Sequence, residues 1–170
     1  MSLFRRKRPR SKIECRYLQY RLENGQTILL PLIQVELVSE KERLTTIGLV
    51  DSGANVSFIP YEIADILELI PEEVAERDLV KVFTAGGRAD FFRVRLKRLS
   101  LLYKGTIFSD FNNFTVLVPF NPERMSPLQR DLPYVVLGRD SIFRRFIVIF
   151  REKQRKFELI HHKWEEKVGI

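Results

Sequence analysis

Residues 49–57 read Leu-Val-Asp-Ser-Gly-Ala-Asn-Val-Ser. An apolar run drives straight into one carboxylate, and a small hydroxyl residue and a glycine follow at once. Gly48-Leu49-Val50 has the character of a buried strand end, where an ionised carboxylate is costly unless it is paired or hydrogen-bonded. Gly53 lets the backbone turn sharply and approach a ligand or another chain closely. A carboxylate in this setting is a candidate catalytic acid or base. Asp-Ser-Gly by itself is also an ordinary turn, in which the aspartate is satisfied by its own backbone, so the rest of the chain has to decide between the two.

The 170 residues suit one domain, and 45% apolar with 30% charged residues is ordinary for a globular protein. No apolar run approaches the roughly 20 residues that span a bilayer. The first ten residues carry charge without an apolar stretch, so no secretory signal is expected. Cys15 stands alone, which excludes an internal disulfide and favours a reducing, cytoplasmic setting. The net charge of +7 is unevenly placed: Arg5, Arg6, Lys7, Arg8, Arg10 and Lys12 precede residue 13 with no acid among them, and the remainder is nearly neutral. Residues 5–12 could hold nucleic acid or an anionic surface by counterion release. The plainer reading of residues 1–13 is a flexible, solubilising arm.

Residues 14–22 and 26–38 are rich in strand formers, and Asn24-Gly25 between them signals a hairpin. Residues 44–50 make a third strand ending at Asp51. Pro60 fits the first helical position, and Tyr61 to Leu69 has helical apolar spacing at Ile63, Ile66 and Leu67, with Pro71 beyond. A second hairpin is expected over 79–96, turning at Ala85-Gly86-Gly87-Arg88. Strands follow at 98–109 and 113–119, then a proline-rich surface loop over 119–133. Tyr134 to Leu137 suits a strand buried on both faces. Gly138-Arg139-Asp140 ends it, with Asp140 placed to cap a short helix near Ser141. A last hairpin is expected from 146–151 and 155–160, turning at 152–154. Many short strands with one or two short helices argue an all-β, barrel-like fold occupying 14–160, with 161–170 as a tail.

Two motifs therefore stand in order, Leu49-Val50-Asp51-Ser52-Gly53-Ala54 and Val135-Val136-Leu137-Gly138-Arg139-Asp140, with a glycine hairpin between them. This pattern resembles the retropepsin-like family of aspartic proteases, over roughly residues 26–160. The resemblance implies a closed barrel, a flap over 79–96, and an aspartic endopeptidase that works without cofactor or metal. It implies Asp51 as the catalytic residue, Ser52 and Gly53 as its support, and Ala54, Asn55, Gly86 and Gly87 in contact with substrate. Gly138, Arg139 and Asp140 would be structural neighbours of the site. Asn55 departs from the pattern, since retroviral enzymes carry a second acid there that pairs with the arginine of the second motif. Arg139 is then left to meet Asp140 or another acid.

Hydrolysis by this route needs two carboxylates in one site, one ionised to deprotonate water and one protonated to donate to the carbonyl oxygen. The chain has one Asp-Ser-Gly, and Asp140 lies in a different context. The second carboxylate would come from another copy of Asp51 across the axis of a symmetric homodimer. Arg139 reads as a buried guanidinium that fixes the helix to the Asp51 loop. His161-His162 without further ligands reads as solvated tail rather than metal site, Cys15 has no matched base, and Trp164 is undecided between packing and dimer contact. Two other functions compete with the endopeptidase: a non-catalytic dimeric module that binds peptide or a partner in the same groove, and a nucleic-acid-associated protein led by the basic arm.

Overall fold

Two residues divide the N-terminal runs that sequence alone reads as continuous. In the computed structural model, which describes residues 11–21, 25–84, 87–121 and 134–162, the first run splits at Tyr17 into β1 (Lys12–Arg16) and β2 (Leu18–Arg21). The second splits at Pro31 into β3 (Thr27–Leu30) and β4 (Leu32–Val38). Pro31 has no N–H to give a ladder, and its carbonyl accepts instead from the Val50 N–H (3.0 Å). Tyr17 is buried and its N–H donates to the Arg155 carbonyl (2.8 Å), which turns the chain out of one sheet and into another. The expected hairpin between β2 and β3 is present as an antiparallel pair, Leu18 opposite Leu30. The basic arm up to Arg10, Asn24, Ala85-Gly86, the loop 122–133 and Trp164 lie outside the described residues.

β5 (Arg43–Val50) pairs antiparallel with β4 and runs into Asp51 as expected. α1 (Tyr61–Ile66) follows, with Pro60 one place earlier than expected, as the N-cap. Ile63 and Leu67 bury their side chains, whereas Ile66 faces outward at 56% exposure, so the apolar stripe is narrower than the spacing suggests. A single 3-10 turn at Glu76–Asp78 leads to β6 (Val80–Thr84) and β7 (Gly87–Tyr103), paired from Val80–Phe91 to Thr84–Gly87. β7 does not stop near residue 97. It runs on to Tyr103, turns at Lys104-Gly105, where both φ values are positive (51° and 73°), and returns as β8 (Thr106–Pro119). The expected strand over 98–109 straddles that turn.

β9 (Val135–Leu137) is buried throughout and lies parallel to β5, with Val50 opposite Leu137. α2 (Ile142–Arg145), β10 (Phe146–Arg151) and β11 (Lys156–His161) complete the chain. Among the described residues the strands form one six-stranded sheet, a three-stranded sheet in the order β1-β11-β10, and the separate β2–β3 pair. The strand ladders alone do not close into a barrel. The gap between β8 and β9 is filled by one residue, Phe58, which bridges to Leu117 on one side and Val136 on the other. His161 is no solvated tail: it ends β11 with its ring against Phe146 (4.5 Å) and Phe108 (5.1 Å).

The main core lies between the sheets, with Val35, Leu37, Ile59, Leu96, Leu99, Leu137, Phe146 and Phe157 almost fully excluded from solvent. Two smaller clusters sit apart from it. One groups Leu32, Tyr134 and Val136 with half-buried Leu49, Ala54 and Phe58. The other groups Ala89, Phe91 and Leu117 with half-buried Val56, Phe58, Val80 and Val82. Phe58 belongs to both, and both border the loop that carries Asp51. The free cysteine sits in a setting where burial, and then Glu14, push its thiol up to about 11, which leaves almost no thiolate near neutrality. Among the described residues no helix is long and apolar enough to cross a membrane.

Candidate active site

The parallel pair β5/β9 delivers two loops to one place. The Asp51 N–H continues the ladder by donating to the Leu137 carbonyl (3.1 Å), so Asp51 begins where the pairing ends. The chain then turns: the Ala54 N–H donates to the Asp51 carbonyl (3.3 Å), and the Gly53 N–H donates to the side-chain Oδ1 (2.8 Å). A Cβ on Gly53 would stand 3.2 Å from that same Oδ1, so the small residue lets its amide approach the carboxylate. Asp51 is half-buried, and no donor among the described residues bonds its Oδ2.

The second motif is the frame for this loop. The Arg139 N–H donates to the Ala54 carbonyl (2.9 Å), and its Nε donates to the Ser52 carbonyl (2.9 Å). Arg139 thus fixes the Asp51 turn, as its position suggests, but it does so from an exposed position rather than as a buried guanidinium. It does not pair with Asp140. That carboxylate accepts from the Ser57 hydroxyl at Oδ1 (2.6 Å) and from the Ser57 N–H at Oδ2 (3.0 Å). This also explains why Asp140 does not cap α2: both of its oxygens are occupied by Ser57, and the N-cap position falls to Ser141, which makes no side-chain cap bond.

Ser57 is fully buried and joins the two loops, since its Oγ also accepts from the Gly138 N–H (3.0 Å) and lies 2.9 Å from the Ser141 hydroxyl. Gly138 is required by crowding. A Cβ there would lie 2.6 Å from the Val56 carbonyl oxygen and 2.9 Å from that of Ala54. Sequence reasoning missed the part played by Ser57, because a lone serine six positions beyond an aspartate carries no local signal for a partner far along the chain.

Ser52 and Asn55 are exposed at the rim, and Ala54 is half-buried against Leu49 and Phe58. Gly87 is exposed with φ of 107°, a backbone setting that favours glycine; Gly86 lies outside the described residues. Tyr134 was not singled out from the sequence. It is buried just before β9, with the Tyr20 ring edge-on to it at 5.7 Å. Burial, and then the nearby Tyr20 and Asp51, push its phenol up, so it stays protonated beside the carboxylate. Among the described residues no group of three or more histidine, cysteine or acidic side chains converges as a metal site.

The structure of this chain is similar to that of a retropepsin-like aspartic protease from Rickettsia conorii, at 16% sequence identity and a TM-score of 0.47, with 89% of this chain and 94% of that one covered. No family profile and no curated protein matches the sequence.

Proposed function

We propose that the chain is an aspartic endopeptidase that hydrolyses extended peptides as a symmetric homodimer, with Asp51 and its copy in the partner as the paired acids. The observation that carries this reading is the state of Asp51. It stands half-buried at the end of the β5/β9 pair, with its Oδ1 held by the Gly53 N–H and no donor to its Oδ2 among the described residues. A carboxylate in a stable turn needs no such frame, yet here Arg139, Ser57, Gly138 and Asp140 all serve to fix the loop.

The chemistry follows from pairing. Two carboxylates in contact share one proton, so one is a base toward water while the other donates to the peptide carbonyl. The proton belongs to the pair and not to either residue. Asp140 cannot be the second acid, because both of its oxygens are already taken by Ser57. A second copy of the chain supplies it, with the two-fold axis passing between the Asp51 side chains. Ser52, exposed beside Asp51, would bond across that axis, and the β6–β7 hairpin would act as the flap, closing on a peptide that adds as a strand. The lone, protonated Cys15 suits a reducing, cytoplasmic setting.

The test is turnover of an unstructured peptide pool from acidic to neutral pH, together with the mass of the active species. The reading expects cleavage by a dimer and its loss in Asp51→Asn. Unchanged turnover in that variant, or cleavage by a strict monomer, would refute it.

A further inference from the structure

β7 carries two kinds of surface on one face. Side chains two apart share a face of a strand, so Ala89, Phe91, Arg93 and Arg95 form one row. Ala89 and Phe91 are buried against Val80 and Val82 of the hairpin and against Val56 and Phe58 beyond the Asp51 loop, with the Phe58 and Phe91 rings 6.0 Å apart. This is the apolar wall beside the candidate site. At the next step the row turns cationic: Arg93 and Arg95 are both exposed.

The β7–β8 register ties the two parts together. Arg93 lies directly opposite Leu117, itself a member of the apolar wall, and Arg95 lies opposite Thr115. Residues opposite each other in an antiparallel pair stand roughly 5 Å apart on the same face, so the first guanidinium begins where the wall ends.

These two cations also differ from the next two along β7. Arg98 pairs with Glu36 (2.7 Å) and Lys97 with Glu40 (3.3 Å). Arg93 and Arg95 have no acidic partner among the described residues, and the residues across from them are Leu117 and Thr115. Two unpaired guanidiniums about 7 Å apart along a strand match two acidic side chains at alternate positions of an extended peptide.

We infer that Arg93 and Arg95 form an outer subsite that selects acidic residues in the peptide, flanking the apolar positions next to the cleaved bond. The inference rests on the endopeptidase reading and adds the substrate class to it. In a two-fold dimer the subsite occurs twice, so acids are favoured on both sides of the bond.

The experiment uses the full chain and fluorogenic peptides with one fixed apolar centre and Glu, Gln or Lys at the outer positions. The expected kcat/KM is about three- to tenfold higher for Glu than for Gln, the range two exposed charge pairs supply, and it declines as salt rises. The double variant Arg93→Glu, Arg95→Glu reverses the order so that Lys peptides lead. Lys153→Glu makes a like charge change on the β10–β11 turn of another sheet and keeps the Glu preference.

Equal turnover of Glu and Gln peptides overturns the subsite and leaves the endopeptidase reading standing. If no peptide is cleaved, that reading fails, and the same peptides are read by fluorescence anisotropy. Tighter binding of the Glu peptide, lost in the double variant, supports the subsite, and equal binding overturns it. A single-stranded oligonucleotide that binds these arginines more tightly than the Glu peptide also overturns it, in favour of a nucleic-acid surface.

Discussion

Asp51 and Asp140 each follow the buried end of a strand, and the two strands, β5 and β9, lie side by side. The residues differ in what their carboxylates are doing. Asp140 has both oxygens committed to one buried serine. Asp51 has one oxygen held by the Gly53 amide and the other without a donor among the described residues. One carboxylate is therefore a fastener, and the other keeps an oxygen that no donor among the described residues bonds. An Asp in a glycine turn does not by itself separate these two states; the donors around it do.

Predictions that break or sharpen this contrast follow in order of size. Asp51→Asn is expected to lower peptide turnover by about a thousandfold or more, within the usual range for removing an acid–base group, while the thermal midpoint stays close to that of the parent. If Asp140→Asn instead gave the larger loss of turnover per unit of lost stability, the assignment of roles would be reversed.

Asp140→Ala removes two bonds to a carboxylate and strands the buried Ser57 N–H, leaving the Ser57 hydroxyl with Ser141 and the Gly138 N–H. A loss of about 3 kcal/mol in denaturant unfolding is expected. Gly138→Ala presses a methyl group against the Val56 and Ala54 carbonyls and should cost about 2 kcal/mol by the same measurement. Arg139→Ala gives up the Nε bond to the Ser52 carbonyl at an exposed position. About 1 kcal/mol of stability should be lost, with a larger fractional drop in turnover because the Asp51 turn is no longer held.

A third carboxylate extends the comparison. Glu158 is 3% exposed and is bonded by Lys12 of β1 (2.7 Å) and Arg151 of β10 (2.8 Å), which hold it down to about 2. A carboxyl depressed by folding stabilises the protein fully above its ordinary value near 4.5, and that contribution fades as pH falls toward 2. The thermal midpoint should drop across that window in the parent, and less steeply in Glu158→Gln.

What could be read from the chain was local. The Leu-Val-Asp-Ser-Gly run located the Asp51 turn, and the apolar Val135-Val136-Leu137 run located the strand beside it, because burial on both faces leaves a continuous apolar signature. The two hairpins were legible because glycine punctuates the sequence between β2 and β3 and between β6 and β7, although Gly87 and Arg88 are already paired in β7. The Lys104-Gly105 turn was missed, since a single glycine after a lysine is weak punctuation, and the strands on either side were cut in the wrong places. Long-range partners were illegible: nothing near Ser57 names Asp140, and nothing near Arg139 distinguishes a carbonyl partner from an acid one.

β7 is one unbroken strand of 17 residues. Its first part pairs with β6 as far as Phe91, and its last part, from Arg98, pairs with β4. The β6–β7 pair is therefore anchored to the same spar that braces the central sheet, and residues 92–97, with β8 alone alongside, join the two parts. Amide exchange should fall off sharply from Arg98 onward, like a diving board whose clamp sits two thirds of the way along.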